Sequence, residues 1–306
     1  MIPSTSNVFV GTSGYDYKHW CSGVIPGKAG FYKGKKCTLQ EYSEHFNFVE
    51  LNAPFYKVPT AKAVEGWKEK SPDDFKFVVK VNKYLTHNKK LIEWETLFPE
   101  FYDRIRLLGD KLLGFLIQLP PMFGNSKNTS KVDGLTPIQR VEKACRFTKE
   151  YYPDVDFFVE FRHHTWFYPE VFDVLRDKWS LVVVHLNNNG FQYGKHMCSG
   201  FSPPLAMFPQ ALTVPDKIYF RNHGTWWHQP YAGGYSDEEL AMMISLFQSN
   251  KTVVAFDNTD SMQYQALFQD PFFPCKKGFT EEFFRAKTIL PQAVVDAKRV
   301  LEIVEC

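Results

Sequence analysis

The stretch DFFVEFRHHT, residues 156–165, settles how the chain is read. Four apolar residues and one carboxylate run from Phe157 to Phe161, and Arg162, His163 and His164 follow at once. A near-continuous apolar run of this length reads as a strand covered on both faces, the kind found in parallel sheets. Apart from Asp156 at its start, its charge comes at its C-terminal end. Seven other segments share the apolar run: 7–11 (NVFVG), 47–52 (NFVELN), 75–81 (FKFVVKV), 114–119 (GFLIQL), 180–186 (SLVVVHL), 217–222 (KIYFRN) and 251–257 (KTVVAFD).

Helix signals lie between them. Thr38 with Glu41, Thr136 with Pro137 and Gln139, and Ser236 with Glu239 are capping boxes, in which a hydroxyl satisfies a free N–H at a helix start. Segments 60–70 and 169–177 are further candidate helices. Segment 187–215, rich in Asn, Gly and Pro, reads as a long loop. Eight strands alternating with helices in 306 residues predict an α/β fold, a (β/α)8 TIM barrel, as a single domain over 1–306. An open doubly wound sheet is the alternative, but no G-x-G-x-x-G opens a helix and there is no Walker A loop.

Composition excludes little more. The net charge of +2 is too small to imply polyanion binding by itself. No stretch approaches the roughly 20 apolar residues of a membrane helix, and no membrane role is expected. Six scattered cysteines without a C-x-x-C pair, and an N-terminus without a signal-peptide pattern, suggest a reduced, intracellular and cytoplasmic protein. Nothing in the sequence fixes the oligomeric state.

In a barrel the C-terminal strand ends carry the chemistry. Strand 1 ends in Gly11-Thr12-Ser13-Gly14, whose glycines would let backbone approach a ligand. Strand 2 ends in Glu50 and Asn52, strand 3 in Lys80, and strand 4 in Gln118. Glu160 and Arg162 end strand 5, Arg221 and His223 strand 7, and Asp257 and Asn258 strand 8. One reading is that Glu50, Lys80, Glu160, Arg162 and Arg221 neutralise one another, since buried charges must pair. The reading preferred here is an anion site. Lys80, Arg162 and Arg221 would hold a phosphate-bearing substrate, Glu50 or Glu160 would act as base, and His223 or His163 as acid, in a hydrolase or lyase. Thr12, Ser13, Asn52, Tyr56, His87, Gln118, Trp166 and Asn258 complete the candidate binding set.

The basic loops KVNKYLTHNKK (80–90) and FYKGKK (31–36), with aromatic neighbours such as Tyr56, Trp166, Trp226 and Trp227, extend the candidate partners to a nucleic-acid strand, bound with or without catalysis. A sugar-active enzyme using Glu50 and Glu160 is a further alternative. No cofactor is expected. A divalent metal is an open alternative, with His163, His185, His223, Glu50, Glu160 and Asp257 as potential ligands, although no metal-ligand spacing supports it.

VGTSGYDYKHW, HFNFVELNAPFYKVP, FKFVVKVNKYLTH, FLIQLPP, VEFRHHTWF, FRNHGTWW with YSDEEL, and FDN occur in this order. Together they resemble the YecE-like TIM-barrel family, also called domain of unknown function 72, over about residues 8–268. Residues 269–306 form an extension beyond it. The resemblance implies a barrel of the xylose-isomerase and endonuclease IV type and hints at a DNA-binding or endonuclease-like role. It also implies recurrent positions at Gly11 to Gly14, Trp20, Glu50, Asn52, Phe55, Tyr56, Lys80, His87, Gln118, Pro120, Glu160, Arg162, His163, Trp166, Arg221, His223, Gly224 and Asn258. Strand 6 departs from the pattern, ending in HLNNNG where many members have an acidic residue nearby.

Overall fold

The computed structural model describes residues 7–24, 28–125, 131–185, 212–224, 231, 233–259, 288 and 290–305. Eight strands close into one all-parallel barrel in sequence order. They are β1 (Val8–Ser13), β2 (Phe48–Leu51), β3 (Lys76–Lys80), β4 (Leu112–Gln118), β5 (Phe157–Glu160), β6 (Trp179–His185), β7 (Lys217–Asn222) and β8 (Lys251–Phe256). β1 pairs with both β2 and β8, which closes the ring. Every strand expected from the sequence is present, with ends displaced by a residue or two. The sequence predicts the TIM barrel correctly because each strand is buried on both faces and so shows as an apolar run.

The helices described are α1 (Leu39–Ser43), α2 (Ala53–Tyr56), α3 (Ala61–Glu69), α4 (Trp94–Ile105), α5 (Pro137–Tyr151), α6 (Pro169–Leu175), α7 (Asp237–Ile244) and α8 (Gln292–Glu305). The capping boxes of Thr136–Gln139 and Ser236–Glu239 form in both directions. At Thr38 only half of the box forms: its hydroxyl accepts from the Glu41 N–H, while the Glu41 carboxylate turns to the Lys33 N–H at 2.7 Å. α8 lies in the C-terminal extension, yet it packs on β1 and β8 and is thus part of the barrel wall. The extension is not an appendage there. Most of the expected loop 187–215, and Trp226 and Trp227, lie outside the described residues.

Two apolar cores follow from strand alternation. An outer core fills the space between sheet and helices. An inner core fills the lumen with Phe48, Val78, Leu116, Phe158, Val182, Val184, Tyr219, Val253 and Ala255. Stepping two residues at a time up each strand from these positions reaches Glu50, Lys80, Gln118, Glu160, Arg221 and Asp257. The polar residues of the mouth are therefore the top layer of the lumen, placed there by the period of two alone.

Candidate active site

The centre of the mouth is the guanidinium of Arg221, which is almost fully buried. Its Nε donates to Glu50 Oε2 at 2.8 Å and its Nη2 to Glu50 Oε1 at 2.8 Å, a bidentate pair. Its Nη1 donates to Glu160 Oε2, and its Nη2 also reaches Ser13 Oγ at 3.1 Å and Asp257 Oδ2 at 3.3 Å. Glu50 further accepts from the hydroxyls of Ser13 and Tyr219. Glu160 accepts from Arg162 Nε at 2.6 Å and Gln118 Nε2 at 3.0 Å. Asn52 donates to Ser13 Oγ at 3.0 Å. Thus β1, β2, β4, β5, β7 and the end of β8 meet in one network.

Electrostatics follow from this geometry. Burial alone would raise the Glu160 carboxyl, but Arg221 and Arg162 hold it well below the usual range. Burial likewise opposes the charge of Arg221, but Glu160, Glu50 and Asp257 hold it protonated. Asp257 is pushed up by burial, yet a hydrogen bond from His223 and the charge of Arg221 leave it lowered.

His223 sits between these groups. Its Nδ1 lies 2.9 Å from Asp257 Oδ2. Its Nε2 lies 3.3 Å from Arg221 Nη1 and 3.8 Å from Glu160 Oε1. Since a guanidinium can only donate, the first of these contacts requires a lone pair on Nε2 and a proton on Nδ1. The same Nε2 edge faces the Glu160 carboxylate. The imidazole is thus oriented by one carboxylate and has a second beside it for its charged form.

Lys80 stands apart from the network. Its Nζ lies 4.3 Å above the ring of Phe55 and makes no hydrogen bond or ion pair with the described residues. Burial, reinforced by Arg221 and Arg162, lowers it from 10.5 to about 8. Phe55 also meets the ring of His87 edge-on, with centroids 5.0 Å apart. Burial and the charge of Lys80 lower His87 to about 4, so its imidazole is neutral across the physiological range. His87 sits on a single π-helical turn, Tyr84–Asn88, a feature frequent at functional sites.

Several expected site residues are placed elsewhere. Thr12 faces the helix layer: its N–H donates to Tyr42 Oη at 2.8 Å and its hydroxyl donates to the Gly14 carbonyl at 2.6 Å. It has the wrong parity for the lumen. Gly11 is needed for internal packing, because a Cβ there would stand 2.0 Å from the Phe48 carbonyl oxygen. Gly14, at φ +85°, leaves room for Tyr17. Neither needs a ligand to explain it. Trp166 is wholly buried and stacks on Phe161 at 4.5 Å, so it is a core residue and not a stacking platform.

The Nδ1 of His163 is 2.7 Å from Thr165 Oγ1, and its ring lies against Gly124, which places it in the β5–α6 turn. Asn258 donates to the Gly233 carbonyl and to Asp296 of α8, tying β8 to the outer wall. Tyr56 is exposed at the rim, with Lys83 Nζ 6.0 Å from its ring centroid. No group of three His, Cys, Asp or Glu that could hold a metal occurs among the described residues. No described helix is long and apolar enough to cross a membrane.

Two participants lie outside the expected catalytic and binding residues; the sequence marks Asp257 only as a strand end and a potential metal ligand. Asp257 ends strand 8 but orients a histidine on its neighbour, a relation between strands that no spacing records. Tyr219 looks like one more apolar strand residue, and only its neighbour Glu50 gives its hydroxyl a role.

The family model described as "Protein of unknown function DUF72" matches residues 9–269. The chain belongs to the DUF72 family. Among curated relatives, UPF0759 protein YecE of Escherichia coli is 36% identical over 87 residues, 28% of this chain and 32% of that protein. UPF0759 protein YunF of Bacillus subtilis is 30% identical over 142 residues, 44% of this chain and 46% of that protein. The matched stretches thus span less than half the length of either relative.

Solved DUF72 structures agree over the whole fold. The DUF72 protein from Enterococcus faecalis has TM-score 0.65 and 19% identity, covering 98% of this chain and 96% of that one. The one from Thermotoga maritima has TM-score 0.62 and 23% identity, covering 98% and 100%. These likenesses concern the fold.

Proposed function

We propose that this protein is an enzyme that takes an anionic, phosphate-bearing substrate at the C-terminal mouth of its barrel, in a hydrolase or lyase reaction. One observation carries the reading. The mouth carboxylates Glu50, Glu160 and Asp257 are held by Arg221, by Arg162 and by a hydrogen bond from His223, while the ammonium of Lys80 meets the Phe55 ring but no hydrogen-bond or ion-pair partner among the described residues. A half-buried cation without a partner is costly unless a ligand supplies the anion.

The geometry narrows the roles. Arg221 is occupied by three carboxylates, so it organises the site rather than binding the substrate. Glu160 is held ionised and accepts from three donors, which removes it as a general acid. This also argues against glycoside cleavage, where one carboxyl must start protonated. His223, oriented by Asp257, is the group suited to carry a proton. Lys80 holds the anion.

Calorimetric titration with inorganic phosphate tests this. Wild-type protein should bind, and Lys80→Met should bind at least tenfold more weakly with an unaltered circular-dichroism spectrum. No binding to wild type, or equal binding to both, defeats the proposal.

A further inference from the structure

Lys80 has a second capacity that anion binding does not use. An amine that loses its proton easily, exposes its nitrogen and is not consumed by hydrogen bonds is a nucleophile for carbonyl carbon. Three features of the mouth bear on this. The nitrogen rests on an aromatic face, with no hydrogen-bond acceptor from the described residues in contact with it. The charged groups around it are Arg221 and Arg162, which disfavour its ammonium, and Glu50 and Asp257, which favour it but are themselves paired. His87, also close by, stays neutral and adds no compensating charge.

The opposite end of the barrel supplies a control. Lys178 is likewise lowered to about 8 by burial. Its Nζ, however, donates to the carbonyls of Tyr152, Pro153 and Val155, and the side chain is buried. It has the acidity, but its nitrogen is already taken up by three acceptors.

We propose that Lys80 is an imine-forming residue, and that the substrate class of the mouth is a small aldehyde or ketone carrying an anionic group. This rests on the reading of the mouth as an anion site, the protonated imine keeping on the Lys80 nitrogen the positive charge that holds the anion. The amine nitrogen adds to the carbonyl carbon, and the oxygen takes up the proton that nitrogen loses. Departure of that oxygen as water leaves the C=N bond, with no change of oxidation state. The departing oxygen takes up one further proton, which His223, held by Asp257, would supply in its charged form. The cations Arg162 and Arg221 favour the oxyanion as it develops.

The test uses full-length protein, glyoxylate as probe and cyanoborohydride to reduce any imine to a carboxymethyl amine, followed by peptide mapping. At pH 7 an amine with its acid constant near 8 has a free fraction on the order of a hundredfold larger than an ordinary lysine. Lys80 should therefore be marked at least tenfold faster than surface lysines such as Lys83, and Lys178 should stay unmarked. The rate at Lys80 should level off above about pH 8 while those of surface lysines still rise. Lys80→Arg should lose the fast mark and keep the folded spectrum.

Labelling of Lys80 at the surface rate, or equal labelling of Lys178, overturns the inference. If inorganic phosphate still binds in that case, only the imine chemistry falls and the anion site stands. If phosphate does not bind either, both readings fall. Fast labelling of Lys80 without phosphate binding supports the imine on a carboxylate-bearing carbonyl compound and defeats the phosphate reading.

Discussion

The two ends of the barrel use the same residue types for different ends. At the N-terminal face, Asp156 lies between Lys217, at 2.8 Å, and Lys251. Burial would raise Asp156, but these two ammonium groups hold it lowered. Lys178 caps three carbonyls there. Lys111, also buried, donates to the carbonyls of Lys68 and Ser71 at 2.7 Å each. These cations are fully used by the protein, and they clamp strand starts and loops. At the C-terminal face, Arg221 is also fully used, but Lys80 has no acceptor among the described residues. A lowered acid constant is common to Lys178 and Lys80, so it does not distinguish a clamp from a site. Whether the nitrogen already has acceptors does.

The sharpest way to break this comparison is Arg221→Met. It leaves Glu50 and Glu160 buried with fewer counter-charges, and should cost about 3–5 kcal/mol in urea unfolding. A loss below about 1 kcal/mol would mean that Arg221 does not organise the mouth. The variant should also lose part of the acid slope. Glu160 has a lowered folded value, so its contribution is present above the ordinary carboxylate range and is lost as pH falls through that folded value.

Asp156→Asn tests the other end. With Asp156, Lys217 and Lys251 all partly accessible, the loss should be about 1–2 kcal/mol, and phosphate affinity should not change. A change in affinity would mean that the two faces are coupled.

Lys80→Met should act in the opposite direction. The folded form of Lys80 gives up its proton near 8 and the unfolded form near 10.5, so wild-type stability rises with pH between those values. Below that window the charged side chain opposes folding. The variant should thus be more stable at pH 7 by about 1–2 kcal/mol, allowing for its partial exposure to solvent, and the advantage should vanish above about pH 10. Melting curves at both pH values check the sign. A destabilised variant at pH 7 would mean that Lys80 has a partner after all. The smallest effect belongs to Ser236→Ala, which removes one helix cap for about 1 kcal/mol and should leave both faces unaltered.

Much of the fold is written in local pattern. DFFVEF and its seven counterparts show as strands because both faces are buried, and Thr136 and Ser236 mark helix starts because free N–H groups need acceptors. The mouth is legible for the same reason. Glu50, Glu160, Arg162, Arg221 and His223 are polar at strand ends, and their spacing of two puts each pair on one face. Thr12 and Trp166 mislead because a polar or aromatic residue beside a strand end belongs to the lumen on one parity and to the helix layer on the other. A single register step decides which.

The sequence alone thus determined the barrel, its eight strands and the layer in which charge gathers, since these depend on periods of two and on caps within a few residues. Tertiary structure decided who pairs with whom. That Arg221 spans Glu50 and Glu160, that Asp257 turns His223, and that Lys80 lies over Phe55 depend on contacts between strands remote in the chain. Coulomb and hydrogen-bond energies depend on those distances, and no local pattern encodes them.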